Sequence, residues 1–294
     1  MRYKGRIWIR VGPRRAIANE TEERLLSERR VELVNNFDAR PCLGSTLNDL
    51  SLDLFRLNYL PNAVAHDIIF ENQRSIEEQL ASLRFYDLEK NCPSYAGILL
   101  FGKEPMQWIP GAYIQFIRST GTQVVDEIED EQTLSGDLLT LLRELDNLIK
   151  LHNQHRPIFQ TALREQIVSP YPTLALRELL MNAVMHRWYE GSTAPIRLYW
   201  FSDHIEIQSP GGLYGEVTPE NFPNQNAYRN PVLAEAMKVL GYVNKFGFGV
   251  QRAQAALAKN ANPAAEFTFE STYVLVTVRQ IQYSPQNYQY ILTI

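Results

Sequence analysis

The stretch Arg-Glu-Leu-Leu-Met-Asn-Ala-Val-Met-His, residues 177–186, sets Glu178, Asn182 and His186 four residues apart inside an otherwise apolar run. Leu176, Leu179, Leu180, Ala183 and Val184 recur with the spacing of one helix face, so the segment reads as a helix rather than a strand. Residues four apart lie about 40° apart around a helix, and the three polar groups therefore form one gently winding row. On that projection Arg177 points to water, and the row runs along the margin of the apolar stripe, where it can look into a cleft between helix and sheet. Taken alone, such a row is also what an ordinary boundary helix carries, with Glu178 and Asn182 as an i to i+4 pair.

Two glycine loops downstream narrow the reading. Ser-Pro-Gly-Gly-Leu-Tyr-Gly, residues 209–215, follows the strand-like His-Ile-Glu-Ile-Gln, and glycines at a strand end let backbone approach a ligand. Gly-Phe-Gly-Val, residues 247–250, opens a helix, where unpaired N–H groups and the helix dipole favour phosphate. Either loop alone is only a turn signal. The order is more specific: a helix with Glu-x-x-x-Asn-Ala-x-x-His, a hairpin ending in glycines, then glycines leading into a helix.

The remaining elements follow from periodicity. Gly5–Gly12 alternates Ile7, Ile9 and Val11 against Arg6, Trp8 and Arg10, a strand with one wet face. Nothing before it offers a partner, and a helix over 19–30, capped by Asn19 and Glu22, is expected to follow. Residues 1–33 are thus expected to be the tail of a domain, with pairing into a later sheet as the alternative. A second capping box, Ser75 and Glu78, announces a short helix. Tyr95–Gly102 and Ala112–Ser119 read as strands, the first buried on both faces. Leu138, Leu141, Leu142, Leu145, Leu148 and Ile149 form one helical stripe. Residues 195–201 and 204–209 read as a hairpin, and Asn230, Pro231 and Gly241 punctuate another helix. Two strands close the pattern, giving an α/β (α+β) sandwich with helices on one face of a mixed, mostly antiparallel sheet.

Net charge is −4, but residues 1–30 carry nine basic groups against four acids, leaving −9 for the rest. Any nucleic-acid contact is expected at that end. Cys42 and Cys92 stand far apart without a metal-ligand pattern, which fits a reducing cytoplasm. No segment has the apolar length of a signal peptide or a membrane span.

The run from about Pro172 to Asn260 resembles the ATP-binding region of the GHKL (Bergerat-fold) superfamily, and 176–189, 205–222, 229–243 and 246–253 resemble its variant in prokaryotic transcriptional regulators. Those regulators carry an AlbA-like, Schlafen-related DNA-binding domain and are often described as RecG-like. Residues 3–26 look like the last strand and exit helix of that domain, and 95–118 resemble the segment between the two. The resemblance implies an AlbA-like remnant over 1–33, a helical connection over 34–93 and an ATP-binding domain over 94–294. It implies an adenine nucleotide with magnesium on Asn182, Glu178 as general base, and a cofactor site of Asn182, His186, Ser209, Gly211, Gly212, Arg229, Gly247, Phe248 and Gly249. Ser209 stands where the superfamily has an adenine-binding aspartate, and bulky Phe248 lies between Gly247 and Gly249, placed to stack on a base, fill the pocket or block it. The expected function is a nucleotide-binding regulatory module of a cytoplasmic regulator that contacts DNA through its N-terminal domain, with no membrane partner and a homodimer left open. The alternatives are a weak ATPase and a nucleotide-free scaffold for dimerisation.

Overall fold

A computed structural model of the chain describes residues 36–154, 156–161, 164–225, 227–243 and 247–281, together with strand segments 2–3, 6–11 and 14–17. Its centre is a six-stranded sheet. In chain order the members are β6 (Ile114–Ser119), β7 (Ile128–Leu134), β10 (Ile196–Trp200), β11 (His204–Pro210), β12 (Glu266–Phe269) and β13 (Tyr273–Arg279). They lie in the order β12-β13-β11-β10-β6-β7, antiparallel except for the parallel β10–β6 pair. Alternation decides the faces: Ile196, Leu198, Trp200, Ile205, Ile207, Val276 and Val278 are buried, while Arg197, Tyr199, Glu206, Gln208 and Thr277 are only partly covered.

Helices cover the buried face. α1 (Ile76–Ser82) has the expected reciprocal cap: Glu78 N–H donates to Ser75 Oγ at 3.2 Å and Ser75 N–H to Glu78 Oε2 at 2.9 Å. α3 (Leu138–His152) buries all six residues of its predicted stripe, and His152 stacks on Phe116 of β6. α4 (Thr173–His186), α5 (Pro231–Val239) and α6 (Gly249–Lys259) complete the layer. Buried residues from Cys42 to Val278 form one contiguous cluster, in which Phe55 and Tyr59 stack and both meet Phe85 and Phe101 edge to face.

Three expectations change. Tyr95–Phe101 is a helix, α2, not a strand: Ser94 Oγ accepts from Gly97 N–H at 3.2 Å as its N-cap, and all residues from Ala96 to Phe101 are buried. A continuous apolar run is compatible with a helix or strand buried on all sides, so periodicity could not separate them. Second, β2 (Arg6–Val11) finds its partners beside it, in β1 (Arg2–Tyr3) and β3 (Arg14–Ile17), and not in the later sheet. The helix expected over 19–30 lies outside the described residues. Third, β7 was not foreseen, because its sequence Ile-Glu-Asp-Glu-Gln-Thr-Leu is acidic and mostly exposed. It is an edge strand, where charge discourages pairing with another chain. Hairpins β4–β5 (Tyr86–Asp87, Cys92–Pro93) and β8–β9 (Arg156–Thr161, Arg164–Val168) form two further small sheets. Among the described residues, no helix is long and apolar enough to cross a membrane.

Candidate functional site

α4 is more deeply set than an amphipathic surface helix. Glu178 is buried to 2% exposure rather than lying at the margin, whereas Asn182 and His186 remain partly open. Arg177 does not simply face water: its Nη2 donates to Glu178 Oε1 at 3.0 Å. The same oxygen meets Arg252 Nη1 of α6 at 2.9 Å, an ionic contact without the alignment of a hydrogen bond. A carboxylate taken out of water needs such partners. Glu178 is thus engaged by two arginines instead of pairing with Asn182.

α6 begins directly against this point. A Cβ on Gly249 would stand 3.1 Å from Glu178 Oε2 and 3.4 Å from the Asn182 carboxamide, so glycine lets the first turn of α6 approach both. The N–H of Arg252 is bonded to Phe248 O, and the N–H groups before it fall in the first turn, which has no intrahelical acceptors. Among the described residues, the Asn182 carboxamide has no hydrogen-bond partner.

A cleft opens from Asn182 along α4. Leu179, Ala183 and His186 form one wall, Ile207, Ser209, Val274 and Val276 the sheet side, and Gly247, Gly249, Val250 and Gln251 the α6 end. Its cover is the loop between β11 and α5, through Gly211, Gly212, Tyr214, Phe222 and Pro223. Among the described residues lining the cleft, none is Lys, Arg, Asp or Glu; Lys245 lies outside the described residues.

The chemistry is graded along the cleft. Ser209 Oγ donates to Ala183 O at 2.8 Å, joining β11 to α4 and leaving only lone pairs to offer a ligand. His186 stacks on Tyr228 with centroids 5.7 Å apart, and burial, then the Arg229 charge, push its pKa down to about 4. It is a neutral imidazole near pH 7. Arg229 belongs to the cover loop instead: its Nη2 donates to Gly212 O at 2.8 Å, and its guanidinium lies 4.8 Å from the Tyr214 ring and 5.8 Å from Trp188. Gly211 has φ +100, and a Cβ there would stand 2.7 Å from Trp188 Cβ, so this glycine sets where the cover begins.

The cleft therefore brings together Asn182, His186, Ser209, Gly211, Gly212, Gly247 and Gly249. Glu178 stands behind its wall, Arg229 is held on the loop, and Phe248, 56% exposed, is not among the lining residues. Phe248 neither fills nor blocks it. Sequence reasoning missed Arg252 and Gln251, although both stand in the glycine-led run that opens α6. Asn230 does stand at the N-cap position of α5, as expected, but its side chain makes no cap bond. The Asn230 amide instead donates to Met185 O and Arg187 O, both at 2.8 Å, satisfying carbonyls at the end of α4. The cap comes from Asp38, whose Oδ2 accepts from Leu233 N–H at 2.9 Å. For magnesium, the free Asn182 amide is a suitable hard oxygen donor, with phosphate and water expected to complete the shell.

Residues 193–278 match the family model described as "Putative ATP-dependent DNA helicase recG C-terminal". The matched span includes both glycine loops and starts after α4. No curated protein matches the chain. Among solved structures, the DIP2311 protein from Corynebacterium diphtheriae is similar in fold, with a TM-score of 0.67 and 24% identity over 94% of this chain. The chain spans 54% of that protein's length. The C-terminal region thus has the helix-on-sheet architecture of an ATPase-like module.

Proposed function

We propose that residues 94–294 bind an adenine nucleotide with magnesium in the cleft between α4, the sheet and the β11–α5 loop. The observation that carries the reading is the meeting of an unpartnered Asn182 amide with the glycine-led start of α6 beside Glu178. In this reading Asn182 offers one oxygen to magnesium, which when bound neutralises triphosphate charge. The N-terminus of α6 receives phosphate, and the apolar sheet side takes the base. His186 offers hydrogen bonding without charge, and the cover loop closes over the ligand.

Binding that regulates the rest of the protein is favoured over turnover. Glu178 is the only carboxylate of the row, and its Oε1 is already engaged by Arg177 and Arg252, leaving Oε2 to face α6. The match to the RecG C-terminal model and the basic surplus over residues 1–30 support a DNA-contacting regulator with this module as its nucleotide-responsive part. Titration of Mg-ATP by calorimetry, beside Asn182→Ala, tests the reading. Saturable heat that the substitution abolishes is expected. No heat, with no thermal shift where about 2.7 kcal/mol is due at a hundredfold excess over Kd, would leave the domain as a scaffold.

A further inference from the structure

Arg187, the residue after α4, is 0% exposed and lies outside the cleft. Its Nη2 donates to Ser192 O at 3.0 Å and to Ala194 O at 2.6 Å. Its Nε and Nη1 are buried and have no partner among the described residues. No carboxylate pairs with it among the described residues; the Tyr189 ring lies 4.6 Å from the guanidinium. A guanidinium cannot shed its proton to escape this cost, so a buried one needs a counter-charge.

Beside it is a small cavity of about 20 Å³, walled by Leu99, Ala112, Tyr113, Gly136 and Leu141 together with Arg187 itself. That is room for one water-sized particle, too little for phosphate. A water there would bring two hydrogens that need acceptors, and a water is well held only with two to four polar partners. The walls are mostly apolar, with the Tyr113 and Tyr189 hydroxyl oxygens as the side-chain acceptors among the described lining residues, and a water bonded to them would still leave the guanidinium without a counter-charge. A monatomic anion only accepts and brings the missing charge, and the spare N–H groups on Nε and Nη1 of Arg187 are the donors it needs.

We propose that this cavity binds one weakly hydrated monovalent anion of chloride size, held by Nε and Nη1 of Arg187. The ion neutralises the guanidinium that ties the exit of α4 to the 192–194 loop. Bromide soaked into crystals of the full chain tests this directly, with thermal unfolding in sodium chloride against sodium fluoride at equal ionic strength. An anomalous peak against Arg187 and a saturable, chloride-specific rise in Tm, absent in Arg187→Met, are expected. An empty or water-filled cavity without chloride dependence would overturn the proposal. So would a peak without any effect on Tm, which would mean an adventitious ion only. If Arg187→Met does not fold, the soak and salt series on the unaltered protein still decide.

Discussion

The two ends of the polar row on α4 share a helix and a spacing, yet they have opposite electrostatic characters. Glu178, at one end, is fully enclosed and meets two arginines. His186, two helical turns on, is stripped of charge by burial and by nearby Arg229, and rests on Tyr228. The difference comes from what packs against each turn: α6 brings Arg252 to one end, while the segment just before α5 brings Tyr228 and Arg229 to the other. Asn182 lies between, hydrogen-bonded to neither arrangement. The row is therefore a gradient from paired charge to neutral surface.

The largest expected effect lies at the charged end. Arg252→Ala leaves Glu178 with Arg177 alone; since both arginines are partly exposed, a loss of about 2 kcal/mol is expected, below the usual cost of orphaning a buried charge. Urea unfolding measures it, and a change near zero would show that Arg177 alone suffices. Asn230→Ala strands two carbonyls at the end of α4 and should cost about 1–2 kcal/mol in the same assay. If it is neutral, water replaces the amide and the end of α4 is not held by Asn230.

pH sharpens the contrast at the other end. The folded pKa of His186 lies near 4, below its ordinary 6.5, so its contribution is complete above about 6.5 and is lost as pH falls toward 4. Asp38 has the opposite sign: burial raises its carboxyl to about 6 from 3.8, so its contribution is complete below 3.8 and is lost as pH rises through 6. Stability of His186→Phe and Asp38→Asn, measured from pH 4 to 7.5, should therefore lose slopes of opposite direction. Equal slopes in both variants would contradict the assigned environments. The smallest effect is expected for Phe248→Ser, within about 0.5 kcal/mol, with Mg-ATP affinity unchanged because this ring stands outside the cleft. A clear loss of affinity would place Phe248 in the site after all.

Much of the local structure was legible. The α3 stripe, the Ser75–Glu78 box and the β10–β11 hairpin follow from periods and caps that act within a few residues. The glycine loops and the Asn182 position were legible as a motif, and they do line one cleft. Tyr95–Phe101 was misread because an element buried on all sides has no periodic face to show. β7 was hidden for the converse reason, being exposed and acidic throughout. At the site, Arg252 is visible in the sequence but its target, Glu178 on another helix, is not.

By itself the sequence determined the capped and periodic elements, among them α1, α3, α4 and the β10–β11 hairpin, and that Glu178, Asn182 and His186 share a face, because those outcomes depend on neighbours along the chain. Only tertiary structure decided that Glu178 is gripped by α6, that Asn230 closes α4, and that Asp38 caps α5 from 195 residues away. Buried polar groups must find partners somewhere, and which partner is in reach is set by packing, not by distance along the chain.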